Sequence, residues 1–378
     1  MRPRASDTSL ESEAPSSLAA RLRERIRGEG PLTFRDWMAA ALYDERGGYY
    51  RGLGAERWGR AGDYRTAPER SPLFPATFAR YFTRLYEELG RPRVFNLLEA
   101  GGGTGRFAHG VLKTLRRDAP HVYEATRYVF DEVGADSIER AAELLKPFAE
   151  RVEFKRLSDI NDRLEQAVVF SNELLDAFPV HRVRVRGGRL RELYVEVKGD
   201  GRFVFAEGEP STPRLAEHFA RLGVRLEEGQ TAEVNLDVSD WLKRIKKTTV
   251  GGHVVTVDYG DEAAALYGAP HRRGGTLRAF RRHEFVEDVL ADPGLQDLTT
   301  TVNWTQVISE GERLGLRAVS LERLDAFLLR AGLVEQLELE SDHAADEADL
   351  AALRLGAGEM LLPGRLASHF QVLVQRTS

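Results

Sequence analysis

The sequence predicts an α/β protein: an open, mostly parallel sheet, preceded by N-terminal helices and interrupted by an inserted antiparallel β meander. Three observations carry this. From Val94 onward, short apolar runs alternate with helical patterns, the order that builds a parallel sheet. A glycine cluster, Gly101-Gly102-Gly103, stands at the first strand-to-helix junction. Between Val183 and Phe205, apolar residues alternate with polar ones around Gly187-Gly188 and Gly199-Asp200-Gly201, as in half-buried antiparallel strands.

Taken in order, residues 1–17 are rich in Ser, Pro, Ala and Arg and read as a disordered tail. They lack the apolar stretch of a secretory signal, and Asp7, Glu11 and Glu13 argue against a transit peptide. Residues 18–90 read as a helical and lid region. Leu18, Leu22 and Ile26 recur every fourth residue, with Gly28 expected to end that helix. Thr33 and Asp36 resemble a capping box for a second helix, with Phe34, Trp37, Met38, Ala41 and Leu42 as its apolar face. Gly47–Ser71 is a long loop dense in Gly, Tyr and Arg, and loops of this length are often functional. A helix resumes near Pro72.

Residues 91–378 read as the ligand-binding domain, with the insertion at about 183–250. Its strands are expected at Val94–Glu99, Arg127–Glu132, Val152–Lys155, Val168–Ser171 and His253–Asp258, with Phe370–Val374 closing the sheet. Arg106–Arg116 and Ser137–Phe148 read as the intervening helices.

Composition excludes several classes. The 378 residues carry 54 Lys plus Arg against 59 Asp plus Glu, a net charge of −5 that argues against a nucleic-acid partner. No apolar run reaches the length of a membrane-spanning helix. Cysteine is absent, which removes disulfides, thiol catalysis and thiolate metal sites and fits a cytoplasmic protein. The nine histidines show no metal-ligand spacing, so no metal is expected. There is no G-x-S-x-G elbow of a hydrolase.

The chemical centre is Glu99-Ala100-Gly101-Gly102-Gly103-Thr104-Gly105. A dinucleotide fingerprint starting at Gly101 requires glycine where Arg106 stands, and the Gly-Lys of a P-loop is missing. What remains is acid-x-Gly-x-Gly-x-Gly, the first motif of the Rossmann-like class I methyltransferases that use S-adenosylmethionine (SAM). Gly101, Gly103 and Gly105 allow backbone to approach the ligand closely, and the helix N-terminus behind them favours a carboxylate. Glu99 is placed to accept from the ligand's ammonium. Glu132, 27 residues after Gly105, is the expected ribose acid, with Asp131 as the alternative. Asp159, after the third strand, is a candidate adenine contact. A tight turn alone would also explain the glycines, and NAD is the rival ligand.

Several segments together resemble one family. They include Gly62-Asp63-Tyr64-Arg65-Thr66-Ala67-Pro68-Glu69, the glycine loop, Ser171-Asn172-Glu173-Leu174-Leu175-Asp176-Ala177-Phe178-Pro179-Val180, Asp258-Tyr259-Gly260 and Gly275-Thr276-Leu277-Arg278. From about Gly30 to the C-terminus the chain resembles the MidA family of class I SAM-dependent methyltransferases. Its mitochondrial members are arginine methyltransferases that assist assembly of respiratory complex I. The resemblance therefore implies a protein substrate, with a respiratory-complex subunit as the acceptor. Asp44-Glu45, Gly134 and Asn303 depart from the family pattern, which usually reads His-Pro, Ser and Asp there.

Methyl transfer is an in-line displacement governed by positioning and desolvation. Asn172-Glu173 follows a sheet strand, where amino-methylating enzymes of this fold keep a motif beside the sulfonium. Glu173 and Asp176 are three apart and would share a helical face, a pair suited to a guanidinium. Helix capping by Asn172 and Asp176 is the plainer alternative. Asp63, Tyr64 and Thr66 belong to the expected lid over the cofactor. The basic run Arg272, Arg273, Arg278, Arg281, Arg282 and His283 reads as a solvated face. The leading function is a SAM-dependent protein arginine methyltransferase. The alternatives are an NAD-linked oxidoreductase and a SAM-binding assembly factor without catalysis.

Overall fold

A computed structural model describes residues 17–51, 71–282, 284–362, 364 and 366–377. Its centre is a seven-stranded sheet: β1 (Phe95–Ala100), β2 (Thr126–Asp131), β3 (Val152–Phe154), β4 (Leu164–Asn172), β5 (Thr249–Asp258), β6 (Leu316–Arg323) and β7 (Gln371–Thr377). The spatial order is β6-β7-β5-β4-β1-β2-β3. Only β7 runs antiparallel to its neighbours.

Strands buried on both faces read as continuous apolar runs, and every residue of β1 is buried. Leu97, Val168 and Phe170 pack beneath the helices Leu73–Glu88, Arg106–Asp118 and Leu324–Ala331. Leu98, Ala100 and Val169 pack on the opposite face, under Asp237–Thr248 and Trp304–Arg313. From β1 the chain steps outward to β2 and β3, then returns across β1 to β4. That reversal opens a crevice at the carboxyl ends of β1 and β4, where ligands bind in such sheets.

A second, five-stranded antiparallel sheet lies between β4 and β5 in sequence. His181–Arg186, Arg189–Val197 and Phe203–Gly208 form the expected meander, with Gly187-Gly188 as its first turn. Thr231–Val234 and the N-terminal Leu32–Thr33 complete the sheet. The excursion is longer than the expected span, since the chain leaves the central sheet at Asn172 and returns at Thr249.

Three local expectations need correction. The first helix runs through Gly28 to Glu29, and Gly30 caps it with its N–H on the Ile26 carbonyl at 3.0 Å. β6 was not expected as a strand, because a bulge between Ala318 and Ser320 breaks its alternation. Residues 173–180 form no helix after β4. Thr33 does cap the second helix, accepting from the Asp36 N–H at 3.1 Å.

Candidate active site

The glycine loop carries the chain from β1 into the helix Arg106–Asp118 in one tight turn. Gly101, Gly103 and Gly105 have φ of 73°, 54° and 79°, a region that side-chain-bearing residues adopt at a cost. Space is equally restrictive: a Cβ on Gly105 would lie 2.9 Å from the Ala141 Cβ, and one on Gly101 3.0 Å from Leu174 Cδ1. The N–H groups of Gly101 and Gly102 donate to the Asp131 carbonyl at 2.9 and 3.1 Å, tying the loop to β2.

Glu132 completes the tie. Its Oε2 accepts from Gly103 N–H at 2.8 Å, and its Oε1 accepts from Val133 and Gly134, each at 2.7 Å. Burial raises its pKa, and the three backbone donors oppose that rise. Asp131 points elsewhere, its Oδ1 accepting from Arg156 Nε at 2.7 Å. Gly134 also has a local reason: a Cβ there would lie 2.6 Å from the Tyr50 carbonyl oxygen, so the N-terminal segment excludes serine.

Glu99 lies beneath the loop, where Tyr128 donates its hydroxyl to Oε2 at 2.8 Å. Burial pushes its carboxyl up to about 8, against the Tyr128 hydrogen bond. A raised folded-state pKa means stability that is full below the unfolded value of 4.5 and lost as pH rises through about 8. Glu99→Gln is therefore expected to flatten the fall of thermal stability between pH 4.5 and 8. Melting temperatures across that range, wild type against variant, check this; parallel curves would place the Glu99 titration outside this window.

Beside the loop is a cavity of about 460 Å³, within the range of small-molecule sites. Ala100, Gly101, Asp131 and Glu132 form one wall, Leu157 and Ser158 another, and Glu173 and Leu174 a third. Tyr43, Tyr50, Trp241 and Arg244 close it. The two tyrosines stack at 5.5 Å, and their hydroxyls donate to the Ala177 carbonyl (3.0 Å) and to Asp297 Oδ1 (2.8 Å). Asp159 does not line this cavity; its Oδ1 accepts from the Ser158 hydroxyl at 2.8 Å.

At the end of β4, Asn172 donates from Nδ2 to Glu173 Oε1 at 3.0 Å. Glu173 adopts φ 52°, and its N–H is captured by the Val257 carbonyl at 2.9 Å. The chain therefore turns without forming a helix. That removes both the shared helical face of Glu173 and Asp176 and the capping alternative for Asn172 and Asp176. Glu173 lines the cavity, whereas Asp176 is buried and accepts from the Tyr259 hydroxyl. Beneath it, Asp258 Oδ2 accepts the N–H groups of Leu175 and Asp176 at 3.0 and 3.3 Å. Burial lifts Asp176 to about 6; burial and the neighbouring Asp176 and Glu173 carboxylates lift Asp258 well above the usual range.

Asp63, Tyr64 and Thr66, with the lid expected around them, lie outside the described residues. Within the basic run, Arg272 pairs with Asp261 (2.7 Å), Arg281 with Asp292 (2.9 Å), and Arg273 with Glu227. Tyr43, Tyr50, Trp241, Arg244, Asp258 and Tyr259 were not singled out as site residues from the sequence. Val238, Leu242 and Ile245 do carry a helical period that could have located the helix bearing Trp241 and Arg244. Among the described residues, no helix is long and apolar enough to cross a membrane.

Residues 77–321 match the S-adenosyl-L-methionine-dependent methyltransferase family. A crystal structure from Burkholderia thailandensis bound to S-adenosyl-homocysteine is 28% identical, with a TM-score of 0.82 over 95% of this chain and 91% of that one. The protein arginine methyltransferase NDUFAF7 homolog, mitochondrial, of Drosophila melanogaster is 26% identical over 99% of this chain and 88% of its own. The human protein arginine methyltransferase NDUFAF7, mitochondrial, is 22% identical over 92% and 81%. These names correct the cytoplasmic expectation, because the curated relatives are mitochondrial proteins. The cofactor is SAM, and NAD is not favoured. With its sheet order, its glycine loop and a family match over most of its length, this chain belongs to the MidA-like family of SAM-dependent methyltransferases.

Proposed function

We propose that this protein methylates an arginine side chain of a protein acceptor. The observation that carries the reading is Glu173: a carboxylate on the cavity wall, at the carboxyl end of β4, next in sequence to Leu174, which packs against Gly101 of the glycine loop. The names of the curated relatives support arginine as the acceptor. As the narrower form, we propose a respiratory-complex subunit as the substrate, on the family resemblance.

SAM, when bound, supplies a methyl group on a sulfonium. Gly101, Gly103 and Gly105 let the backbone approach it, and Glu132 keeps lone-pair capacity for a ribose hydroxyl beyond its three backbone donors. Asp131, held by Arg156, backs that wall; Glu99 supports the loop from below through Tyr128. Leu157 and Ser158, in the turn that also holds Asp159, line the cavity and would meet the cofactor's base. Glu173 orients the guanidinium and takes its proton, with Asn172 fixing the carboxylate and Asp176 adding negative charge behind it.

The test is incubation of the purified protein with labelled SAM and an extract from cells lacking the gene, followed by mass spectrometry. Methylarginine in a discrete acceptor is expected. Product confined to lysine or to small molecules would end the arginine reading, and SAM binding without any product would favour an assembly factor.

A further inference from the structure

Arg278 opens the strand Arg278–Arg281 and faces Thr299 across an antiparallel ladder. The adjacent Thr300 donates its N–H to the Asp176 carbonyl at 2.9 Å. The guanidinium carbon sits 4.7 Å from the centre of the Tyr259 ring, whose hydroxyl donates to Asp176. Arg278 is thus held at the carboxyl edge of β4 and β5, beside Tyr259 and Asp176.

Its Nε and Nη2 are buried, and neither has a hydrogen-bond partner among the described residues. These are the two nitrogens whose N–H bonds run parallel on one side of the guanidinium, the fork that grips a carboxylate with two bonds. Were Arg278 only a counter-charge for Asp176, the fork would close on that carboxylate. Instead Asp176 Oδ1 is also buried without a partner, as is Asn172 Oδ1 on the neighbouring strand end. Donors and acceptors are held apart on one sheet edge, an arrangement complementary to a ligand carrying an anion beside a cation.

We propose that Arg278 binds a ligand carboxylate bidentately through Nε and Nη2. The proposal rests on the methyltransferase reading and extends it to recognition. Two carboxylates fit this chemistry. One is the α-carboxylate of SAM, whose own ammonium is the adjacent cation. The other is a carboxylate on the acceptor close to its arginine.

Calorimetry on the full chain separates them. In the first arm, SAM and decarboxylated SAM are titrated into wild type, Arg278→Lys and Arg278→Gln. In the second, protein loaded with S-adenosyl-homocysteine receives Nα-acetylarginine or its amide. Charge-assisted bonds of this kind predict a preference for the acid form of about 10-fold or more in one arm. Both variants should lose it. Lysine keeps the charge but not the fork, so a mere counter-charge role would survive Arg278→Lys. Should Arg278→Gln fail to fold, Arg278→Lys carries the test. No preference in wild type in either arm, or a preference retained by Arg278→Lys, overturns the proposal. Absence of any SAM binding would instead count against the methyltransferase reading itself.

Discussion

Gly101→Val is expected to abolish SAM binding while leaving the protein folded. Gly101 lines the cavity and has φ 73°, where a β-branched residue is strained. A Cβ there already lies 3.0 Å from Leu174 Cδ1, so the added methyl groups enter the space between the loop and Leu174. Strain of this kind costs about 1–3 kcal/mol, which a domain of ordinary stability survives. Wild type with SAM at about 100 times its dissociation constant should gain about 2.7 kcal/mol of stability, and the variant none. Thermal shift with SAM, S-adenosyl-homocysteine and NAD reads this directly. A variant that keeps the SAM-dependent gain would remove the glycine loop from the cofactor site.

The parts of this site that were legible in the sequence are those built from contiguous residues. β1 is an apolar run ended by glycine, and the loop needs left-handed backbone that only glycine supplies readily, so both are written locally. Glu132 was legible because it directly follows the next strand after the loop, with the helices Arg106–Asp118 and Pro120–Ala125 between them, a regular arrangement in such sheets. The hydrogen bond that Glu132 accepts from Gly103 was not, since a ribose contact and a loop tie place the same acid at the same strand end.

The illegible parts depend on tertiary capture. The spacing of Glu173 and Asp176 is helical on paper, but Val257 takes the Glu173 N–H and Asp258 takes those of Leu175 and Asp176. Backbone donors satisfied by β5 have no use for a helix. Tyr259 meets Asp176 from 83 residues away, and Tyr50 meets Asp297 from 247. No local period encodes either contact. Trp241 and Arg244 reach the cavity only because the chain re-enters the central sheet beside it after the antiparallel excursion.

The separation of the two carboxylates changes how arginine methylation should depend on them. Arginine is charged at any working pH, so a proton must leave during transfer. On the proposed reading Glu173, which lines the cavity with its Oε1 fixed by Asn172 at 3.0 Å, receives that proton. Asp176 is buried, does not line the cavity and accepts from the Tyr259 hydroxyl, and burial lifts its carboxyl to about 6. Glu173→Gln preserves volume and the Asn172 contact yet removes the base. It should retain SAM affinity and lower turnover by about 100-fold or more, the usual scale of a lost acid–base group. Asp176→Asn, which keeps an acceptor for Tyr259, should have a smaller effect on turnover at neutral pH. Single-turnover rates on an identified acceptor, with SAM affinity measured separately, distinguish the two. A Glu173→Gln enzyme with full turnover would pass the proton to Asp176 or to solvent. In that case Asp176→Asn, not Glu173→Gln, should show the larger loss.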